Sequence, residues 1–104
     1  MASIVFSPKA IEDLNKIKEY IEKELKSPIA ANDRILEILN GIDQLMLFPE
    51  LGPLLNGKVI SLAQHRYLPI AKNIVFYRVE QNDVFVIRIL GSQMDYLKIL
   101  GVMS

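Results

Sequence analysis

The side chains that could do chemistry are concentrated in the second half of the chain. His65 and Arg66 are adjacent, Arg78 and Arg88 follow on later segments, and Tyr96 lies near the end. Histidine and tyrosine can act as a general acid or base, and arginine can hold a phosphate or a carboxylate. A lone histidine at a strand edge is usually inert, so the sequence leaves two interpretations of His65 open.

The segment around Arg88 raises a second choice. An arginine in an apolar strand is costly to bury unless it is paired, and Asp95, seven residues further on, is the candidate partner. The alternative is that Arg88 contacts a target, in a cationic strip with Arg66 and Arg78 if all three project from one sheet face. The turn Gly91–Met94 contains no imidazole, cation or carboxylate, so it can neither donate a proton nor hold a phosphate.

The composition excludes several classes of protein. With 104 residues, of which 51% are apolar, the sequence predicts one folded domain over residues 1–104. Cysteine is absent, which excludes disulfides and a thiol nucleophile, and a single histidine argues against a histidine metal site. We therefore expect no metal and no cofactor. The sequence has neither a signal peptide nor a run of roughly 18 apolar residues, so we expect a cytoplasmic protein with no membrane contact.

Charge is distributed unevenly although the chain is formally neutral. Residues 1–50 carry six Lys/Arg and nine Asp/Glu, whereas residues 51–104 carry six and three, so the two halves have net charges of −3 and +3. This uneven distribution has two explanations: the charges lie on solvated helix faces and have no function, or the positive second half binds an acidic partner. A protein that grips a phosphate backbone tightly usually has a basic surplus overall, which this chain lacks.

Two Ser-Pro pairs predict the starts of two helices. Serine can accept a hydrogen bond from the N–H groups of a helix start, and proline suits the first helical position. The first helix follows Ser7-Pro8, and Ser27-Pro28 both ends it and starts the second, which stops near FPELG. Both have an apolar stripe, so they predict a helical hairpin that turns at Ser27-Pro28. The stripes comprise Ile11, Leu14, Ile17, Ile21 and Leu25, then Ile35, Ile38, Leu39, Ile42, Leu45 and Met46.

Short strand patterns flank the helices. SIVF precedes them, and HRYLPI, NIVFYRVE and VFVIRIL follow, with the turn QND before the last strand because Asn and Asp tolerate left-handed geometry. The last strand is apolar on both faces except at Arg88, which places it centrally. The predicted fold is α+β in the order β-α-α-β-β-β, with the helical hairpin on one face of an antiparallel sheet that includes the first strand, and a short C-terminal helix or tail.

The loop after the second helix is more apolar than a loop requires. Leu51, Leu54 and Leu55 lie within the sequence ELGPLLNG. Exposed apolar side chains that cluster in this way indicate a surface that contacts another protein.

Four segments, in this order and at these spacings, resemble the RelE/ParE superfamily of toxins from bacterial toxin–antitoxin pairs. They are SPKAIEDLNKIKEYI, FPELG, RYLPIAKNIVFYRV and RILGSQMDYLKIL, which together cover nearly the whole chain. The first and third resemble the ParE branch more than the RelE branch. The resemblance implies a cognate antitoxin whose extended or helical segment lies along an apolar groove in a toxin–antitoxin hetero-oligomer. We expect Leu51, Leu54 and Leu55 to contact it.

The two branches imply different activities. RelE-like toxins cut messenger RNA in the ribosome, whereas ParE-like toxins inhibit DNA gyrase by binding. Cleavage of RNA through its own 2′-hydroxyl needs a base, an acid and cations on the phosphate. Here Ile74 takes the place of a phosphate-holding arginine. Gly91, Gln93 and Met94 stand where the ParE pattern has histidine, arginine and glutamine.

Three hypotheses remain. The favoured one is a non-catalytic, ParE-like toxin that binds DNA gyrase. Its expected target-binding residues are Arg66, Arg78, Arg88 and Tyr96. The alternative is a RelE-like endoribonuclease that acts on messenger RNA in the ribosome. Its reduced catalytic set would be drawn from His65, Arg66, Arg78 and Tyr96. The third is a degenerate toxin without activity, which is retained only as the partner of its antitoxin. The altered turn suggests this hypothesis.

Overall fold

The structure is a computed structural model that describes residues 2–55, 64–94 and 98–100. These ranges contain two helices and four strands. In chain order the elements are β1 (Ser3–Phe6), α1 (Pro8–Leu25), α2 (Pro28–Asp43), a 3-10 turn (Gln44–Met46), β2 (His65–Ile70), β3 (Asn73–Glu80) and β4 (Asp83–Gly91). Residues 98–100 are helical. This order confirms the predicted α+β fold. In the described ranges, no helix is long and apolar enough to cross a membrane.

The two Ser-Pro pairs form helix starts as predicted. The Ser7 hydroxyl accepts a hydrogen bond from the Ala10 N–H at 3.0 Å, and the Ser27 hydroxyl accepts one from the Ala30 N–H at 3.1 Å. Lys26 has a left-handed backbone with φ of 49°, which turns the chain at the end of α1. The predicted hairpin with its turn at Ser27-Pro28 is confirmed.

The sheet has the strand order β1-β4-β3-β2. Strand β4 is central, as predicted, because it pairs with β3 on one side and with β1 on the other. The prediction of a wholly antiparallel sheet needs correction, since β1 runs parallel to β4, with Ser3 opposite Asp83. Tight turns join the other three strands and make them antiparallel, whereas the long connection through the helices allows parallel pairing.

The turn between β3 and β4 differs from the expectation in one detail. The residue with left-handed geometry is Gln81, at φ of 55°, and not Asn82 or Asp83. The two-residue turn places Gln81 at its first central position, so the position in the turn decides which residue adopts this geometry.

The helices pack on one face of the sheet, and this helix face contains the main core. Four of the eleven predicted stripe residues are buried and five are half-buried. In α1 the buried positions include Ala10 and Asp13, whereas Ile11 and Leu25 are exposed. The stripe is therefore shifted by about one position from the sequence prediction. The buried residues of the core are Ala2, Ala10, Ile38, Ile42, Leu45, Ile70, Val75, Tyr77, Val84, Val86 and Ile89.

A smaller core lies on the opposite, helix-free face of the sheet. Leu55, Phe76, Leu90 and Leu100 are buried together there. Phe76 stands between Val75 and Tyr77, and successive strand residues alternate between faces, which assigns this cluster to the face away from the helices. The helices thus cover one face of the sheet, and this cluster covers part of the other face.

Candidate functional site

Arg88 forms an ion pair with Asp13 of α1. Its Nε lies 2.7 Å from Asp13 Oδ2 and its Nη2 lies 2.9 Å from Oδ1, a two-point contact. Asp13 also accepts a hydrogen bond from the Ile89 N–H at 2.9 Å. The side chains of Arg88 and Asp13 are 14% and 7% exposed. The hydrogen bonds to Asp13 raise the pKa of Arg88, against the lowering effect of burial.

This pair decides between the two interpretations of Arg88. Of the two expected roles, a structural pair and a target contact, the geometry fits the structural one, because little of the guanidinium reaches the surface. The partner that the structure describes is Asp13. The expected partner Asp95 lies outside the described residues, so that pairing stays a prediction. Arg88 therefore joins β4 to α1 and holds the helix hairpin against the sheet.

Arg66 and Tyr77 hold the loop that follows α2. Arg66 Nη1 donates to the Gly52 carbonyl at 2.8 Å and lies 3.4 Å from the Glu50 carbonyl, while the Gly52 N–H donates to the Tyr77 hydroxyl at 2.8 Å. Burial raises the pKa of Tyr77, and the Gly52 hydrogen bond and Arg66 oppose this shift. Arg66 lies opposite Tyr77 in the sheet register, on the helix face. Its guanidinium satisfies two loop carbonyls.

The loop also pairs with the outer edge of β2. The Leu55 N–H donates to the His65 carbonyl at 2.9 Å, and the Tyr67 N–H donates to the Pro53 carbonyl at 3.1 Å. Together with the contacts of Arg66 and Tyr77, these bonds fix the backbone of residues 50–55 against the sheet. The loop is consequently a rigid extension of the fold in this region.

Arg78 lies on the helix-free face. It is directly opposite His65 in β2 and opposite Phe85 in β4. Its Nε lies 3.3 Å from Glu80 Oε1, and its guanidinium carbon lies 5.2 Å from the centroid of the Phe85 ring, within cation–π range. The Arg78 side chain is 41% exposed, so among the described arginines of the expected strip it is the one that a partner could contact.

His65 is adjacent to this arginine and partly buried. Burial lowers the pKa of His65, and the nearby positive charge of Arg78 lowers it further. Its Nδ1 is buried and has no hydrogen-bond partner among the described residues. These surroundings favour the neutral imidazole.

The lowered pKa gives a testable pH dependence. Below the ordinary histidine pKa of about 6.5 the unfolded chain binds a proton at His65 that the folded protein resists, so the free energy of unfolding should fall as pH decreases. Urea unfolding between about pH 7.5 and pH 5.5 should show this slope, and His65→Gln should flatten it. Equal slopes in both proteins would contradict the assignment.

The described members of the expected catalytic set do not all lie on one face of the sheet. His65 and Arg78 lie on the helix-free face, whereas Arg66 lies on the helix face and is engaged by the loop. The three arginines therefore form no common strip, and Arg88 contacts α1. Tyr96, like Asp95, lies outside the described residues. Ile74 packs against the smaller core, which makes it a packing residue at a position where the resemblance implied a phosphate contact.

The leucines of the loop divide into two groups. Leu55 is 4% exposed and belongs to the smaller core, which corrects its expected role as a contact residue. Leu51 and Leu54 are 46% and 37% exposed, and two preceding residues, Leu47 and Phe48, are more exposed still. We call Leu47, Phe48, Leu51 and Leu54 the apolar loop patch. Leu47 and Phe48 were not predicted as contact residues, although the sequence places them side by side directly before Pro49, where the second helix was expected to stop.

Asp13 was also missed by sequence reasoning. It lies three residues after Ala10 and four before Ile17, inside the buried stripe of α1. A carboxylate at that spacing predicts a buried cationic partner, because an isolated buried charge is too costly. Asp13 and Arg88 could thus have been matched from sequence, since Arg88 is a cation in an apolar strand and needs an anionic partner in the same way.

Comparisons with known proteins agree with this fold. A family model described as the ParE toxin of the type II toxin–antitoxin system, parDE, matches residues 4–96. Among proteins of curated function, none matches the sequence significantly. A solved structure described as the chromosomal ParDE TA system from P. aeruginosa is similar with a TM-score of 0.74 at 20% identity, covering 88% of this chain and 96% of that chain. At this identity the structural likeness supports the fold, and the family match goes further: the chain belongs to the ParE toxin family of type II toxin–antitoxin systems.

Proposed function

We propose that this ParE-family toxin acts without catalysis, by binding and inhibiting DNA gyrase, and that a cognate antitoxin neutralises it. The observation that supports this most is the separation of His65 and Arg78 from Arg66, which lie on opposite faces of the sheet. RNA cleavage requires a base, an acid and a cation around one phosphate. The described residues offer no such cluster.

Two further features favour binding over RNA cleavage. The turn Gly91–Met94 has no imidazole, cation or carboxylate, the groups that most often transfer protons or neutralise a phosphate. The chain is also formally neutral, whereas a protein that enters a ribosomal site walled by RNA phosphate gains from a basic excess through counterion release. Both features fit a protein target, and gyrase as that target implies a cytoplasmic location.

The target contact is proposed for Arg78 and Tyr96. Of the four residues expected to form it, Arg66 is engaged by loop carbonyls and Arg88 by Asp13. Arg78 keeps a side chain that is 41% exposed on the helix-free face. Tyr96 follows β4 in the chain, and its role is carried over from the sequence.

The antitoxin contact is proposed for the apolar loop patch. Its side chains are exposed, and hydrogen bonds from Arg66 and Tyr77 fix the backbone beside them. A patch that is already rigid loses little conformational entropy on binding, which favours a tight complex. The antitoxin would cover this patch in a toxin–antitoxin hetero-oligomer.

Two assays on the purified protein test the mode of action. We expect inhibition of gyrase-driven DNA supercoiling and no cleavage of messenger RNA on translating ribosomes. Arg78→Ala should weaken gyrase inhibition, because it removes the exposed cation. The matched control Lys18→Ala, an exposed cation on α1, should leave inhibition unchanged. Tyr96→Phe should have little effect on a binder.

The alternatives give different results in the same assays. Cleavage of ribosome-bound message that falls by a factor of about 10² or more in Tyr96→Phe would support the RelE-like endoribonuclease, because that factor is typical of an acid–base group. Activity in neither assay would support the degenerate toxin. Either result contradicts the proposed function.

A further inference from the structure

The two edges of the sheet differ in what covers them. The outer edge of β2 pairs with the loop that follows α2, where the Leu55 N–H donates to the His65 carbonyl. Strand β1 forms the other edge, because β4 is its neighbour on one side. Within the described ranges, no strand or loop pairs with the outer side of β1.

The hydrogen bonds of β1 show which of its backbone groups point outwards. The Ser7 N–H donates to a carbonyl of β4 at 2.9 Å. Alternate residues of a parallel strand bond to the same neighbour, so Val5 also bonds to β4. The N–H and C=O groups of Ile4 and Phe6 therefore point away from the sheet. We call these four groups the β1 edge.

The sequence of β1 does not protect this edge. Sheet edges are usually protected by a charged side chain, a proline or a bulge, and SIVF contains neither a charge nor a proline. Ile4 and Phe6 pack against the main core on the helix face, so Val5 lies on the opposite, helix-free face. Val5 is 44% exposed and lies opposite Phe85 of β4. The β1 edge thus combines unpaired backbone groups with exposed apolar surface.

We propose that a second copy of this chain pairs with β1 in the antiparallel direction, about a two-fold axis at Val5. In this register Ile4 of each copy lies opposite Phe6 of the other, and the two pairs exchange about four hydrogen bonds. An axis at Ile4 would require the Ala2 N–H instead. That group already donates to the Met46 carbonyl at 2.9 Å, so the axis lies at Val5.

A second copy fits the β1 edge because the edge is complementary to itself. A two-fold pairing uses the same groups on both chains and closes, so no further copy is added. The two Val5 side chains face each other across the axis. With Phe85 of each copy they form one apolar strip across the joined sheets. Because the strand is short, we expect a weak dimer with a dissociation constant between about 10 μM and 1 mM. The inference goes beyond the proposed function and does not depend on the target.

The test measures association of the full chain between about 5 μM and 1 mM by sedimentation equilibrium. We expect the mass to rise from one chain to two. Amide hydrogen exchange of Ile4 and Phe6 should slow with concentration, whereas that of Val5, which already bonds to β4, should not. Val5→Lys places like charges opposite each other and should leave a monomer. The matched control Ile29→Lys replaces a 74% exposed apolar side chain at the start of α2 and should still dimerise.

A charge exchange at the axis tests the register itself. Val5→Lys and Val5→Glu should each be monomeric, and their equimolar mixture should form a heterodimer, because the two charges then lie opposite each other. Native mass spectrometry distinguishes the heterodimer from both homodimers. The exchange measurement uses the unsubstituted chain and decides the question even where a variant does not fold.

Several results would overturn the inference. These are a monomer at every concentration, a dimer that survives Val5→Lys, and the absence of a heterodimer from a mixture of two folded variants. Slow exchange of Ile4 and Phe6 at every concentration would mean that another part of the same chain covers the β1 edge, which also overturns it.

Discussion

Replacing Asp13 by alanine is expected to destabilise the protein by about 3–5 kcal/mol, because it removes one member of a buried ion pair. Asp13 accepts two hydrogen bonds from the Arg88 guanidinium and one from the Ile89 N–H, and its side chain is 7% exposed. The substitution therefore removes acceptors from three donors at once. Urea unfolding of both proteins, with the free energy of unfolding extrapolated to water, measures the loss.

Two comparisons test the reason for this loss. Glu12→Ala removes the neighbouring carboxylate, which pairs with Lys16 in an exposed position, and should leave the free energy of unfolding nearly unchanged. Asp13→Leu combined with Arg88→Met replaces the pair by apolar side chains and should recover part of the stability that Asp13→Ala loses, since both charges are removed together. A cost for Asp13→Ala no greater than that for Glu12→Ala would contradict a stabilising buried pair.

The second large effect is expected at Gly52. A Cβ at this position would lie 2.3 Å from the Tyr67 carbonyl oxygen and 2.9 Å from the Tyr77 hydroxyl. The Tyr67 atom belongs to the backbone of β2, so Gly52→Ala must displace the loop from the sheet. We expect a loss of about 1–3 kcal/mol, typical of overpacking, together with weakened hydrogen bonds from the loop to Arg66 and Tyr77. Thermal unfolding followed by circular dichroism measures this change.

Gly91 provides the matched control for Gly52. A Cβ at Gly91 would lie 3.6 Å from Met94 Cγ, an ordinary van der Waals contact, and its backbone does not have left-handed geometry. Gly91→Ala should therefore be neutral or stabilise the protein by about 0.4–1 kcal/mol through the unfolded chain. Equal effects of the two substitutions would show that close approach at Gly52 is not what constrains the loop.

Much of the fold follows from local signals in the sequence. Ser7-Pro8 and Ser27-Pro28 carry the information for both helix starts within a few residues, and the apolar last strand indicates its central place in the sheet. The direction of β1 had no such local signal. It depends on how the chain returns after two helices, which is a property of the whole connection.

The candidate site was harder to predict because its geometry depends on distant partners. For Arg88 the sequence offered Asp95 across a nearby turn, which the described residues do not test, and it missed Asp13, which lies 75 residues away in α1. For Arg66 the partners are main-chain carbonyls, which every residue possesses and no pattern identifies. Leu55 was expected at the surface because it lies in a loop, yet pairing of that loop with β2 buries it in the smaller core.

The parallel pairing of β1 with β4 has a consequence for synthesis of the chain. Ser3 and its partner Asp83 are 80 residues apart, and at about 5–20 residues per second a ribosome needs roughly 4–16 s to make the intervening chain. During that time β4 is not yet made, so the strand SIVF cannot pair with it and Asp13 cannot form its ion pair with Arg88. A nascent chain that stops before β4 therefore exposes an apolar strand and is expected to aggregate or be degraded. Toxicity should thus require translation through β4, and premature termination should give an inert product.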